Sequence, residues 1–164
     1  MEVAALADCR EEFLERASKQ WRSARKYTTG MDLVREEELD AVHICLPSYL
    51  HAEMAVAAME KGMHVFVEKP VCLTGEDCKR LLEVQKKTGV KVMVGQVVRS
   101  FEEYRYLKEA YEKKTFGELK SIVMQRISGD TKWGYEDWFH EEKKSGSVVL
   151  DLHIHDLDFL RYML

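Results

Sequence analysis

Met63-His64-Val65-Phe66-Val67-Glu68-Lys69-Pro70 is the stretch on which the fold turns. It reads as a short apolar strand that stops abruptly in a carboxylate, an ammonium and a proline. Upstream, Leu50 to Lys61 carries a helical pattern closed by Gly62, and Ala41 to Leu46 is another apolar strand, ending in Pro47. Strand, helix and strand within about thirty residues predict a βαβ unit, and such units hold ligands at the carboxyl ends of their strands. Glu68 and Lys69 stand at one such end.

Toward the N-terminus, Glu2 to Ala7 reads as a buried strand ending in Asp8. Asp8 with Glu11 matches a capping box for a helix over Cys9 to Arg22, with Phe13, Ala17, Gln20 and Trp21 on one stripe. Tyr27 to Leu39 reads as a polar connector broken by Thr28, Thr29 and Gly30. The strand Ala41–Leu46 is apolar enough to predict cover on both faces. Ser48 is the expected cap of the next helix, whose stripe is Ala52, Ala55, Val56 and Met59.

Toward the C-terminus, Thr74-Gly75-Glu76-Asp77 opens a helix with Cys78, Leu81 and Leu82 inward and Gly89 just past its end. A strand over Val90–Val94 and a helix over Phe101–Lys114 follow. This alternation predicts an α/β protein with a parallel, doubly wound sheet. After Gly117 the pattern changes. Leu119 to Ile127 resembles a strand of a one-faced antiparallel sheet. An irregular segment with Trp133, Trp138 and Phe139 comes next, and Gly146 leads through Val148–Asp156 into a closing helix.

Composition narrows the function classes. A chain of 164 residues with 46% hydrophobic and 33% charged residues can bury a core without staples. A net charge of -4 and the lack of any basic run argue against nucleic acid and anionic membranes as partners. Four cysteines form neither a CxxC pair nor a zinc spacing; Cys9 and Cys45 are expected as buried, reduced thiols. With no signal-peptide pattern and no apolar run of membrane-spanning length, a cytoplasmic setting is expected.

Three groups of residues carry candidate chemistry. Lys69, at a strand end, could hold an oxygen and stabilise charge developing on it; the alternative is a surface ion pair with Glu68 before a turn. Asp151 and His155, four apart, share a face on a helix, where His155 would act as general acid or base. The alternative is a helix cap and a satisfied histidine. Asp151, His153, His155 and Asp156 are also all metal-ligand types, which leaves a metal-dependent hydrolase open. However, His153 and His155 share a face only on a strand, and the spacing of Ile154, Leu157, Leu160 and Arg161 favours helix. Asp8 is the third candidate, as acceptor for the ribose hydroxyls of a dinucleotide or as the cap already named.

In order, Asp8, the segment Asp40 to His51, Gly62 to Pro70, Gly95, Arg99, Phe101, Gly117-Glu118-Leu119, Gly146 and Asp151 to Asp158 resemble the Gfo/Idh/MocA family of NAD(P)-dependent sugar and cyclitol oxidoreductases. The resemblance implies an incomplete Rossmann-type domain over residues 1–96 and, over 97–164, the start of an α/β domain with an open, mostly antiparallel sheet. By the same resemblance Asp8, Leu46, Pro47, Ser48, His51, Glu68 and Lys69 bind the cofactor, NAD rather than NADP. Lys69, Asp151 and His155 are then catalytic, no metal is involved, and the Lys69–Pro70 bond is cis. The implied substrate is a sugar or polyol, and relatives often pair as homo-oligomers. The family's first strand and Gly-rich phosphate loop have no counterpart in this sequence. The expectation is therefore an impaired or inactive fragment that binds NAD poorly, with its second strand parted from the Ala41–Leu46 strand. The alternative is a non-catalytic, sugar-binding relative.

Overall fold

The structure, a computed structural model, describes residues 2–132 and 134–164; Trp133, one of the residues read as irregular, lies outside them. Among the described residues five short strands form two parallel sheets. β1 (Ala5–Ala7) pairs with β2 (Arg25–Tyr27), while β3 (Ala41–Ile44), β4 (His64–Val67) and β5 (Val92–Val94) lie in that order in the second sheet. Val42 stands opposite Val65, and Val65 opposite Val92, so one face of the second sheet is a row of branched side chains. The pairing of β1 away from β3 agrees with the parting expected from the sequence.

The helices are α1 (Glu11–Gln20), α2 (Gly30–Glu36), α3 (His51–Glu60), α4 (Gly75–Thr88), α5 (Glu102–Glu112), the single turn α6 (Glu142–Ser145) and α7 (Ile154–Met163). The core lies between α3, α4 and the β3–β4–β5 sheet. Ala55, Ala58 and Met59 of α3 are fully enclosed, and Ile44, Val65, Val67 and Leu81 pack around them. Small alanines let α3 approach the sheet closely, so a larger side chain there would overfill the space. The Thr74 hydroxyl accepts a hydrogen bond from Asp77 N, which starts α4 as the capping pattern predicts, and Gly89 ends it at φ 71°.

Several sequence expectations are corrected here. Asp8 does not cap α1: its carboxylate accepts from Arg10 N at 2.9 Å, and the cap position, Arg10, makes no side-chain cap bond. Local pairing with the guanidinium wins over capping. The stripe on α1 buries Leu14, while Trp21 is exposed. The connector Tyr27–Leu39 holds the end of β2 and all of α2, capped by Thr29, whose hydroxyl accepts from Asp32 N. Ser48 opens a separate 3-10 turn rather than capping α3, and its side chain is buried.

Cys9 and Cys45 are exposed; the buried thiol is Cys72, 2.9 Å from Cys78 Sγ. Nor is β3 covered on both faces. Ala41 and His43 are exposed, as is Met93 of β5, because α3 and α4 lie against one face only. Leu119–Ile127 forms no ladder among the described residues, for want of a strand beside it, and Val123 is 92% exposed.

Glu37, just past α2, is fully buried and was not foreseen. Its carboxylate accepts from Tyr27 Oη at 2.6 Å and from Arg25, while Lys61 Nζ donates to its backbone carbonyl at 2.7 Å. It thus ties β2 to α2 and to the end of α3. Truncation would strip Tyr27 and Arg25 of their shared acceptor. Glu37→Ala should lower unfolding free energy by about 2 kcal/mol, read from the urea midpoint. An unchanged midpoint would show that the carboxylate is dispensable.

Candidate functional site

The carboxyl ends of β1, β3 and β4 each deliver residues that the sequence singled out. At the end of β1, Asp8 faces Arg10, which donates from Nε at 3.1 Å. Burial opposes ionisation of Asp8, but the hydrogen bonds and charge of Arg10 outweigh it and hold the carboxyl below its ordinary range. Arg10 also lies over the Phe13 ring, 3.9 Å from its centroid.

At the end of β3, Leu46, Pro47 and Ser48 form the turn into α3. His51 is 1% exposed, its Nε2 2.7 Å from Leu46 O and its Nδ1 2.7 Å from Pro70 O. It therefore fastens the turn after β3 to the turn after β4. At the end of β4, Glu68 rests against Gly95: a Cβ built there would stand 3.0 Å from the carboxylate, so glycine makes room for it. Lys69 follows, and its bond to Pro70 is cis, as the resemblance implied.

Lys69 does not turn back to Glu68. Its Nζ donates to Asp151 O at 2.5 Å and to Asp151 Oδ1 at 2.7 Å. Asp151 sits in a π-helical turn, Val149–His153, that runs directly into α7. The spacing from Asp151 to His155 thus spans a widened turn rather than regular helix. His155 Nδ1 is buried without a hydrogen-bond partner. Burial, then the charges of Lys69 and Arg126, push the His155 pKa below its usual value, with Asp151 and Asp156 pulling partly the other way. Lys69, Asp151 and His155 therefore share one electrostatic environment.

Two basic residues, unremarked as site residues in the sequence, hold this helix. Arg126 donates to both oxygens of buried Asp156, at 2.7–3.1 Å, and Arg99 donates to both oxygens of Asp158, at 2.7 and 2.5 Å. Asp156 also takes His153 Nδ1 at 3.1 Å. These pairings, and that of Asp151 with Lys69, use the side chains on which a metal site would depend. Among the described residues no three of His, Cys, Asp and Glu stand together as a metal-holding group. An open cleft of about 600 Å³ is lined by Asp151 and Arg126 together with Asp130 and His140. Nothing in the sequence marked Arg126 or His140 as site residues.

The chain matches the oxidoreductase family described as NAD-binding Rossmann fold over residues 1–96, and a GFO/IDH/MocA C-terminal domain over residues 104–164. It belongs to the Gfo/Idh/MocA family. Among its family relatives is a myo-inositol 2-dehydrogenase of Thermotoga maritima, 32% identical over 160 residues, 98% of this chain and 46% of the relative. A 2,7-anhydro-N-acetylneuraminate hydratase of Escherichia coli is 31% identical over 132 residues, 80% of this chain and 35% of the relative. The crystal structure of myo-inositol 2-dehydrogenase from Lactobacillus plantarum superposes with a TM-score of 0.81 at 27% identity, covering 99% of this chain and 48% of that one. This Gfo/Idh/MocA chain thus spans about half the length of the relatives it matches. No helix among its described residues is long and apolar enough to cross a membrane.

The two site-region histidines should titrate in opposite directions. His140, between Asp130 and Asp137, is raised, and His155 is lowered. The unfolded-state value is about 6.5. Because the folded-state pKa of His155 is the lower one, the stability it contributes is present above about pH 6.5 and is lost as pH falls through that folded value. NMR titration of the imidazole signals should give a midpoint below about 6.5 for His155 and above it for His140. The reverse order would contradict the electrostatics described.

Proposed function

We propose that the chain carries the active site of an NAD-dependent dehydrogenase acting on a hydroxyl of a sugar, polyol or cyclitol. The observation that carries this reading is the double contact of Lys69 Nζ with Asp151, which joins the end of β4 to the helix bearing His155. The inositol dehydrogenases among the relatives support the substrate class. The separate matches over 1–96 and 104–164 support a dinucleotide-binding unit, 1–96, followed from residue 97 by the beginning of a substrate unit.

The residues present fit the cofactor. Asp8 is held ionised at a strand end, as an acceptor for ribose hydroxyls must be, and Arg10 is spent on that same carboxylate. A 2′-phosphate would meet the negative charge without a free guanidinium, which favours NAD over NADP. Leu46, Pro47, Ser48 and Glu68 line the same edge of the strands, with His51 fixing the turn beneath them. When bound, NAD supplies the hydride acceptor.

The remaining work falls to side chains. Lys69 Nζ holds the reacting hydroxyl oxygen and stabilises negative charge developing there. His155, neutral near pH 7 because burial and two cations disfavour its protonation, takes the hydroxyl proton on a ring nitrogen. Asp151 orients Lys69 and tempers the cationic surroundings of His155. The exposed apolar side chains Val123 and Ile127 support a further expectation, that copies of the full-length protein associate through this segment.

Titration with NADH, followed by its fluorescence, should show saturable binding, and addition of NAD with myo-inositol should generate NADH. Lys69→Met should lower kcat by about 100-fold or more with the fold intact by circular dichroism. Turnover unaffected by that change would remove Lys69 from the mechanism. Binding of sugar without any turnover would favour a non-catalytic relative.

A further inference from the structure

The cleft beside Asp151 has an uneven distribution of charge. Among its described lining residues there is one guanidinium, Arg126. That group is already committed. Nε lies 3.1 and 3.0 Å from the two oxygens of Asp156, and Nη2 lies 2.7 Å from Oδ1. Nη2 is also 3.4 Å from Tyr104 Oη. The Asp156 side chain is only 5% exposed, so its charge is neutralised by Arg126 rather than by water. The hydrogen bond from Arg126, against the opposing effect of burial, keeps Asp156 ionised. Lys69 is held by Asp151, which also lines the cleft.

The lining also carries carboxylates. Asp130 and Glu142 line the cleft. His140 lies between Asp130 Oδ1, 2.8 Å from Nε2, and Asp137 Oδ1, 2.5 Å from Nδ1. Even with that imidazole protonated, two carboxylates to one cation leave this cluster negative. Serines, among them Ser128 and Ser147, supply neutral hydrogen-bonding groups around it. A sugar hydroxyl meets donors and acceptors here, whereas among the described lining residues a sugar carboxylate meets Asp130, Glu142 and Asp151 and a guanidinium already paired with Asp156.

We propose that Asp156 sets the charge selectivity of this cleft: by holding the Arg126 guanidinium on its own carboxylate, it restricts the cleft to uncharged polyhydroxyl substrates and excludes sugar acids. The proposal rests on the dehydrogenase reading above. It makes Asp156 a specificity-determining residue that acts through Arg126 and touches no substrate itself. Loss of its charge frees a guanidinium at the cleft wall, and a guanidinium receives a carboxylate in a two-point hydrogen-bonded pair.

The test is calorimetric binding of myo-inositol, D-glucose and D-glucuronate to the protein with NAD present. The unaltered protein should bind at least one neutral compound at least about 10-fold more tightly than glucuronate at low salt, and the gap should narrow as salt rises. Asp156→Asn, which preserves shape, should raise the ratio of glucuronate affinity to neutral-compound affinity about 10-fold. The exposed double change Asp130→Asn with Glu142→Gln should improve glucuronate binding several-fold without touching the buried pair, so the proposal does not depend on one variant folding. Glucuronate bound as tightly as the neutral compounds by the unaltered protein overturns the charge selection alone. A preference unchanged in both folded variants does the same. Binding of none of the three overturns the dehydrogenase reading together with it.

Discussion

The pairing of Lys69 with Asp151 is the constraint on which the site depends. The two residues are 82 apart in the chain, and each side chain is about one-fifth exposed. A pair so placed adds little net stability, because partial desolvation offsets much of the attraction. What it contributes is geometry. The ammonium is drawn away from Glu68, its sequence neighbour, and across to the turn that opens α7. His155 then lies one helical turn beyond that anchor, in the field of the same ammonium.

The helix bearing His155 is held mainly by charge. Arg126 binds Asp156, Arg99 binds Asp158, and Lys108 Nζ donates to Tyr162 O at 2.8 Å. The buried apolar side chain of this helix is Phe159, whose ring meets Tyr104 edge-on with centroids 4.8 Å apart. Directional bonds fix the rotation of a helix more sharply than apolar contact does. That rotation decides whether His155 faces Lys69. It also leaves His155 Nδ1 buried without a hydrogen-bond partner among the described residues.

Much of the Rossmann-like part was legible from residues 41 to 94. There, apolar runs, the Thr74 cap and Gly89 all agree with one another on where elements begin and end, and packing overrode only details such as the role of Ser48 and the cover of β3. Legibility failed where local signals competed. Asp8 had two partners on offer, the start of α1 and Arg10, and the nearer guanidinium prevailed. The residues from Tyr27 to Leu39 read as polar because α2 buries only a narrow stripe, Leu33 and Val34, beside the enclosed Glu37. Leu119–Ile127 has strand composition, but a strand exists only with a neighbour, and none stands beside it.

The sequence by itself determined the alternation of strands and helices from Ala41 to Val94, the position of Lys69 at a strand end and the nearness of Asp151 and His155 about one turn apart. Each of these follows from local periodicity and capping within a few residues. Tertiary structure decided which charges meet. Lys69 chose Asp151 over Glu68, Arg126 chose Asp156, and Cys72 rather than Cys9 or Cys45 was enclosed. Such choices depend on distances between residues far apart in the chain and on the burial that only packing creates. Electrostatic strength varies with both, so no reading of spacing along the chain could have ranked those partners.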